Sequence, residues 1–385
     1  MSSKLKMGMI GGGPDAFIGA VHRIAAQMDG LAELVCGAFS SDPAKSKAMA
    51  AVLGLPDQRV YGSFAEMITS ERLLPENERM DFVSIVTPNH VHFEPAKMAM
   101  EAGFDVVIDK PVTFSLEEAK QLKVIAESTG RILALTHTYT GYPMVKQARE
   151  IVASGQLGTI RKVYAEYLQG WLYNKLEDTE QKQASWRTDP ARSGKAGCMG
   201  DIGTHAFNMA EYVTGLKVTR MCASLNTVVP GRLLEDDGAV ILEFENGATG
   251  TLVATQIATG EENNIRIKVF GDKGGLEWQQ EDCNSLILKW PDAPKQVYRT
   301  GTGYAGTLAT HNTRVIAGHP EGYLEAFANI YRNAVLTMVA KKQGKILGDT
   351  AVEFPGIDAG IRGMAFVDNV VEASQSGEKW HEFRV

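Results

Sequence analysis

Lys110 is the residue whose type and position point most directly to chemistry. It follows the apolar run 104–108 as part of Asp109-Lys110-Pro111, where the proline fixes the neighbouring backbone. A lysine placed directly after a buried strand is poorly explained as a residue that serves only to keep the protein soluble. The alternative is a surface lysine whose stem packs on the protein. An ammonium group at a strand end can hold a substrate hydroxyl and stabilise developing alkoxide charge.

A second candidate site is the pair Asp201 and His205 in the stretch Gly200-Asp201-Ile202-Gly203-Thr204-His205. If a helix begins near Asp201, both side chains share one of its faces. A carboxylate beside an imidazole orients the ring and favours its charged form. Such a pair suits a general base that removes a hydroxyl proton. The alternative is an Asp helix cap followed by an unrelated helical histidine.

The elements that must position these residues start with a glycine-rich turn between a first strand and a first helix. Gly11 and Gly13 fit the first two glycines of a dinucleotide fingerprint, whose backbone N–H groups face a pyrophosphate. Ala16 could supply the third small residue. Alternatively, Pro14-Asp15-Ala16 is an insertion and Gly19 is the third. We favour Gly19, because residues 17–19 then lead straight into the helix.

Further cofactor contacts are expected where other strands end, since open α/β sheets bind ligands beyond these ends. Thr87 and Asn89 follow the apolar strand 82–86 and could hydrogen-bond a phosphate or a ribose. Equally, they could form a turn that caps the next helix. The expected cofactor-binding residues are Gly11, Gly13, Phe17, Ile18, Ser40, Ser41, Thr87, Asn89, His92 and Lys110.

The pattern of strands and helices predicts two domains of different class. Over residues 1–137, apolar strands alternate with helices, which predicts a doubly wound parallel sheet that binds a dinucleotide. Over residues 138–385, neighbouring strands are joined by tight turns, and two long helices close the chain. This second part is expected to be an α+β domain with a large open, mostly antiparallel sheet that binds substrate and mediates oligomerisation.

Composition excludes several classes of protein. The 385-residue chain carries a net charge of -7, which argues against a protein that binds nucleic-acid backbones. It has no long uncharged apolar stretch and no signal-peptide pattern, so no membrane partner is expected. Its 4 cysteines are scattered, which favours free thiols and a cytoplasmic location. His90 and His92 lack a third ligand at usable spacing, so no metal is expected.

These motifs occur in the order found in one family. With Gly11, Gly13 and Gly19, then Asp109-Lys110-Pro111, then 200–205, the chain resembles the glucose-fructose oxidoreductase / inositol dehydrogenase / rhizopine-catabolism (Gfo/Idh/MocA) family over essentially its whole length. Thr87-Pro88-Asn89 and Trp186-Arg187 also match positions typical of the family. The resemblance implies an N-terminal Rossmann domain, a C-terminal domain whose open sheet often forms an oligomer interface, and reversible oxidation of a sugar or polyol hydroxyl.

Residue roles follow from the resemblance. Lys110 matches the lysine of the family's E-K-P motif, with Asp109 replacing the usual Glu, and would hold the reacting oxygen. His205 would be the base and Asp201 its orienting partner or a substrate ligand. Trp186 and Arg187, in a loop before the Asp201 helix, would adjoin the cofactor. Lys110, Asp201 and His205 would thus bind substrate. His137 and Tyr139, which follow the last strand of the first domain, and His319, near the entry to a late helix, are further expected substrate-binding residues on position alone, and each could equally be structural.

Cofactor choice stays open, with a slight preference for NAD over NADP. Ser40 stands where family members that prefer NAD usually place an acidic residue. Serine does not repel a 2′-phosphate, yet no arginine follows to attract one. We therefore expect an NAD(P)-dependent dehydrogenase of a sugar, glycoside or cyclitol, acting as a homodimer or homotetramer. The alternatives are a keto-sugar reductase using the same site and a non-catalytic regulator that senses dinucleotide.

Overall fold

The structure is a computed structural model that describes residues 4–14, 16–179, 181–347 and 352–385. The chain divides into two compact units. The first comprises Met1–Gly141 and Tyr323–Gly360, and the second comprises Tyr142–Gly322 and Ile361–Val385. The chain therefore crosses from one unit to the other three times. The prediction of a single boundary after residue 137 does not include this return.

The first unit is built around a parallel sheet whose strand order is β2-β1-β3-β4-β5. Each strand pair is parallel, and the register of the β1–β2 pair shifts between Met7 and Gly8. Within the described residues its strands and helices are β1 (Leu5–Gly11), α1 (Phe17–Met28), β2 (Ala32–Ala38), α2 (Pro43–Leu53), α3 (Phe64–Leu73), β3 (Phe82–Val86), α4 (Phe93–Glu101), β4 (Asp105–Ile108), α5 (Leu116–Thr129) and β5 (Leu133–Leu135).

Helix caps confirm two of the predicted starts. Asp42 accepts a hydrogen bond from the N–H of Ala44 at the start of α2, with Pro43 at the first helical position. Ser115 and Glu118 form a capping box at the start of α5. Helix α3 was not predicted, because only Met67, Ile68 and Glu71 of its residues are buried. This mixture of exposed and buried residues gives no clear apolar stripe in the sequence.

A late helix completes the core of the first unit. After β5 the chain enters the second unit with helix α6 (Pro143–Ala153). Much later, α11 (Tyr323–Lys342) returns to the first unit and packs against α1. Phe327, Tyr331 and Val335 of α11 share the buried cluster with Met7 and Met9 of β1. The sheet needs an apolar cover on both faces, and α11 supplies part of it. Length and periodicity predicted this helix, but they could not indicate which unit it would join.

The second unit is built around a nine-stranded sheet of order β13-β12-β11-β10-β6-β9-β8-β7-β14. β6 and β9 pair in parallel, and the other pairs are antiparallel. Its remaining described elements are β6 (Ile160–Leu168), α7 (Lys182–Arg187), α8 (Pro190–Ser193), α9 (Thr204–Thr214), β7 (Val218–Asn226), β8 (Asp237–Phe244), β9 (Thr249–Thr255), β10 (Asn264–Gly271), β11 (Gly275–Gln279), β12 (Ser285–Lys289), β13 (Gln296–Arg299), α10 (Thr307–His311), α12 (Ile357–Gln375) and β14 (His381–Glu382).

One face of this sheet is covered by helices and the other is open. α9 packs against β6, β9 and β10, while α6 packs against β11 and β12. Along β8, buried Val240 and Leu242 alternate with exposed Ala239 and Ile241. The mostly antiparallel, one-sided sheet agrees with the prediction. Sequence reasoning missed the edge strands β13 and β14. No helix among the described residues is long and apolar enough to cross a bilayer.

Candidate functional site

The glycine-rich turn has the backbone geometry that its sequence requires. Gly11 and Gly12 have φ values of 87° and 74°, which other residues rarely adopt. A Cβ on Gly13 would lie 2.9 Å from the carbonyl oxygen of Phe39, and one on Gly19 would lie 2.4 Å from the Cα of Gly12. Gly19 thus performs the close helix packing of a third fingerprint glycine, which favours it over Ala16. Asp15 lies outside the described residues.

Helix α1 begins directly behind this turn. Its N-cap is Ala16, and among the described residues no side chain caps the helix and no acidic residue occupies its first turn. The first N–H groups therefore suit an anionic group such as a pyrophosphate. Phe17, at 70% exposure, starts the helix and Ile18 follows it. The turn meets the geometric requirements of a dinucleotide cradle.

Arg23 supports the turn from beneath, a role that the sequence did not reveal. Its side chain is 9% exposed and donates to the carbonyl oxygen of Gly12 at 2.9 Å. Burial lowers the pKa of the guanidinium. An arginine inside an amphipathic helix pattern ordinarily suggests solvent, so no signal distinguished it.

Ser40 lies beside the cradle, at the end of β2. The Cβ position of Gly13 is 4.0 Å from the Cβ of Ser40. The Ser40 hydroxyl accepts from the N–H of Asp42, whose own carboxylate caps α2. Ser41 next to it is exposed. Asp42 is committed to its helix, as predicted, so the side chain nearest the cradle is neutral.

His92 holds two strand-end turns together. Its ring is fully buried, with Nδ1 2.8 Å from the carbonyl oxygen of Pro111 and Nε2 2.8 Å from that of Thr87. Burial lowers the pKa of His92. With both nitrogens against backbone carbonyls, the ring has no polar atom left for a cofactor. The prediction of a direct contact therefore needs correction, because the residue positions backbone instead.

Thr87 and Asn89 occupy the turn that His92 fixes. The Thr87 hydroxyl lies 3.4 Å from the carbonyl oxygen of Val91, and Asn89 begins a short 3₁₀ turn before α4. Both residues stand at the end of β3, as predicted. Thr87 and Asn89 therefore help to shape the turn before the next helix, in agreement with the alternative stated for them.

Asp109 anchors the turn that carries Lys110. Its Oδ1 accepts from the backbone N–H of Lys110 at 2.9 Å and from the hydroxyl of Thr136 at 2.8 Å. Burial alone would raise the pKa of this carboxyl, but His22, Lys110 and Thr136 offset that and hold it well below its usual range. The Lys110–Pro111 peptide bond is cis. Asp109 is thus a structural anion that fixes the lysine backbone.

His137 and Tyr139 lie in the same unit, beyond β5. Their exposed fractions are 3% and 5%. Burial and then the charge of Lys110 lower the pKa of His137 to about 3, so its imidazole is neutral near neutral pH. A neutral imidazole can hydrogen-bond a hydroxyl but brings no positive charge to attract an anion.

In the second unit, Asp201 sits on a π-helical turn, Met199–Gly203, that continues into α9 with His205 in its first turn. Its Oδ2 accepts from Arg187 Nε at 3.1 Å and from Gln256 Nε2 at 2.9 Å. Gln256 lies just beyond β9 and carried no sequence signal, because its role depends on pairing with a distant turn. The position of Asp201 at a helix start agrees with the prediction.

Arg187 belongs to helix α7, so the predicted loop around Trp186 and Arg187 is wrong. The guanidinium carbon lies 4.2 Å from the centroid of the Trp186 ring, and Nη1 donates to the side-chain oxygen of Gln183. This cluster fixes the planar group that holds Asp201. A six-residue helix is too short to show a helical periodicity in the sequence.

A polar and aromatic network extends from Asp201. Gln169 accepts from Trp171 Nε1 at 3.0 Å and donates to Asn263, which also accepts from Tyr167 at 2.7 Å. Tyr167 lies beside the imidazole of His205, with ring centroids 6.1 Å apart. Aromatic faces beside amide groups suit a sugar ring, which has apolar faces and a polar rim. The residues Tyr167, Gln169 and Asn263 were missed from sequence.

His319 also belongs to the second unit. It is exposed, and its Nδ1 lies 3.3 Å from the carbonyl oxygen of Ile316 in the loop after α10. The described residues contain no group of three or more His, Cys, Asp or Glu side chains that could hold a metal ion.

Two family models match the chain. Residues 5–137 match the oxidoreductase family with an NAD-binding Rossmann fold, and residues 145–277 match the GFO/IDH/MocA C-terminal domain. Between them they include the glycine turn, Lys110, Asp201 and His205.

Individual relatives extend the match to the whole length. An uncharacterized oxidoreductase, YfiI, from Bacillus subtilis is 32% identical over 100% of this chain and 98% of its own. Levoglucosan dehydrogenase from Pseudarthrobacter phenanthrenivorans is 28% identical over 78% of this chain and 80% of its own. The crystal structure of an inositol dehydrogenase homolog from Azotobacter vinelandii, complexed with NADH and myo-inositol, has a TM-score of 0.91 and 33% identity, covering 100% of this chain and 98% of that one. The chain belongs to the Gfo/Idh/MocA family of oxidoreductases.

Proposed function

We propose that this protein is an NAD-dependent dehydrogenase of a secondary alcohol on a sugar, glycoside or cyclitol. The observation that carries the proposal is the Asp201 carboxylate, held by Arg187 and Gln256 on the turn that leads into the helix of His205. The relatives that act on levoglucosan or bind myo-inositol support this class of substrate. Both compounds are cyclic and carry several secondary hydroxyls.

The proposed roles divide between binding and proton transfer. The nicotinamide ring supplies hydride acceptance or donation when the cofactor is bound. Lys110 donates a hydrogen bond to the reacting oxygen and stabilises alkoxide charge on it. His205 accepts the hydroxyl proton during oxidation and returns it during reduction. Asp201 orients that imidazole or binds a neighbouring substrate hydroxyl, while Arg187 and Gln256 fix its carboxylate.

The preference for NAD rests on the residues beside the cradle. Ser40 can hydrogen-bond a ribose hydroxyl, and no arginine follows it to attract a 2′-phosphate. The Azotobacter vinelandii homolog was solved with NADH. We therefore propose NAD as the physiological cofactor, with residual use of NADP.

The proposal includes a cytoplasmic location and self-association through the open sheet face. All 4 cysteines are free thiols, with Cys36 and Cys198 buried. The open face exposes apolar side chains, including Ile241 at 48% and Tyr164 at 37%. Light scattering after gel filtration measures the oligomeric state, and a monomer at micromolar concentration would contradict this part of the proposal.

The test of the function is a panel of sugars, glycosides and inositols, monitored by nicotinamide absorbance with NAD⁺ and NADP⁺. We expect turnover on at least one cyclic polyol. Lys110→Ala and His205→Ala should each lower kcat by about 10²- to 10⁴-fold, the typical contribution of acid–base and electrostatic catalysis. NADH affinity should change much less. Near-wild-type turnover in both variants refutes the assignment. Cofactor binding without turnover on any compound favours the regulator.

A further inference from the structure

Beneath the Lys110 turn lies a buried chain of hydrogen-bonding side chains that no role yet explains. His22 of α1 is fully buried, and its Nε2 lies 3.8 Å from Oδ1 of Asp109. On the other side of the ring, Nδ1 lies 2.6 Å from the hydroxyl of Tyr331 in α11. That hydroxyl is in turn 2.7 Å from the hydroxyl of Ser84 in β3. These side-chain contacts connect two helices and a strand to the carboxylate of Asp109.

One arrangement of protons satisfies the two short contacts of this series, while Nε2 of His22 makes no hydrogen bond among the described residues and lies 3.8 Å from the Asp109 carboxylate. Ser84 donates to the Tyr331 oxygen, Tyr331 donates to Nδ1 of His22, and Nε2–H of His22 then faces Asp109. Burying a polar ring without partners would cost several kcal/mol, on the order of the usual desolvation penalty. An apolar side chain would fill the same space at lower cost. The retention of four polar groups here indicates a task beyond packing.

The contacts of Asp109, at one end of this series of side chains, indicate what that task is. Asp109 holds the backbone N–H of Lys110, so the placement of its carboxylate sets the start of the lysine side chain. Thr136 donates to the same oxygen from the strand side, and His22 faces it from the helix side. The Phe327 ring packs edge-on against the His22 ring at 4.7 Å and limits its rotation. The carboxylate therefore has little freedom to turn.

We propose that His22, fixed by Tyr331, is a positioning residue for catalysis: it orients the Asp109 carboxylate and thereby sets Lys110 in its productive geometry. This inference rests on the proposed function, since it concerns the work of Lys110. The placement of Lys110 then also depends on a side chain of α1, the helix that begins at the cofactor turn. The same helix thus supports both the cradle and the lysine.

The test uses Tyr331→Phe and His22→Leu in the full-length protein, with the polyol found active in the panel. Tyr331→Phe keeps the ring and removes one hydroxyl, so it preserves the fold even if His22→Leu does not. We expect kcat to fall about tenfold in Tyr331→Phe and about 100-fold in His22→Leu, as for a catalytic group displaced by up to about 1 Å. The dissociation constant of NADH should change less than about threefold, because the cradle is untouched.

Tyr61→Phe is the matched control. It also removes a buried tyrosine hydroxyl of the first unit, one that donates to Glu71 at 2.8 Å and has no connection to Asp109. This variant should lose a similar amount of thermal stability and keep wild-type kcat. Equal losses of kcat in Tyr61→Phe and Tyr331→Phe would show a general structural effect and overturn the proposal.

A double-mutant cycle with Asp109→Asn identifies the route of the effect. If His22 acts through Asp109, adding His22→Leu to Asp109→Asn lowers kcat no further. Losses that multiply overturn the inference, as does wild-type kcat in Tyr331→Phe. An inactive wild-type enzyme across the whole panel would instead refute the proposed function, so the two failures are distinguishable.

Discussion

Gly19→Ala tests whether the close approach of α1 to the glycine turn is required for cofactor binding. The added Cβ would lie 2.4 Å from Gly12 Cα and 3.1 Å from its carbonyl carbon and oxygen. Ordinary van der Waals contact begins near 3.4 Å. The neighbour is backbone, so no flexible side chain can yield. The turn or the helix must move by about 1 Å to restore normal contact.

Two opposing effects determine the magnitude. Alanine in a helix interior gains roughly 1 kcal/mol over glycine. Overpacking a tight contact costs about 1–3 kcal/mol, so we expect a net destabilisation near 1 kcal/mol and a melting temperature lower by about 2–4 °C. Displaced N–H groups would lose one charge-assisted hydrogen bond to the pyrophosphate, worth about 1.5–3 kcal/mol. NADH should then bind about 10- to 100-fold more weakly.

The assay is a fluorescence titration of NADH, accompanied by a thermal melt of each variant. Gly303→Ala is the control, because a Cβ there would meet no atom within 4 Å and the backbone is not in the left-handed region. It should retain wild-type affinity and melting temperature. A dissociation constant for Gly19→Ala within twofold of wild type, about 0.4 kcal/mol, would refute the reasoning.

Three further changes test the site. Ser40→Asp should lower the kcat/KM ratio of NADP⁺ to NAD⁺ about tenfold or more, since a carboxylate repels the 2′-phosphate. Arg187→Lys should lower kcat/KM about tenfold, because lysine cannot both stack on Trp186 and hold Asp201. His137→Gln should reduce acid lability. Burial lowers the pKa of His137 to about 3, so from its ordinary 6.5 downward only the unfolded state takes up the proton. Wild type should therefore lose about 2 kcal/mol more unfolding free energy than the variant between about pH 8 and pH 5.

Each of these expectations has a clear contrary result. An unchanged cofactor ratio in Ser40→Asp would show that this position is not beside the adenosine ribose. Wild-type kcat/KM in Arg187→Lys would show that any cation holds Asp201 adequately. Denaturant titrations at several pH values that give parallel curves for wild type and His137→Gln would contradict the buried, neutral imidazole.

The elements predicted correctly are those fixed by neighbours in sequence. Asp42-Pro43 and Ser115 with Glu118 start their helices through bonds that span two or three residues. The strand 82–86 is buried throughout and apolar except for Ser84, because both faces of its sheet are covered. By contrast, the helix of Trp186 and Arg187 and the edge strands were missed, since short or half-exposed elements carry little periodicity.

By itself, the sequence determined the family, the doubly wound sheet, the glycine turn and the candidate residues Lys110, Asp201 and His205, because residue type and short spacing are local properties. Only the tertiary structure decided which atoms hold those residues. Gln256 reaches Asp201 across 55 positions, and Tyr331 reaches His22 across 309. Such partners are chosen when strands pair and helices pack, and no periodicity along the chain encodes that choice.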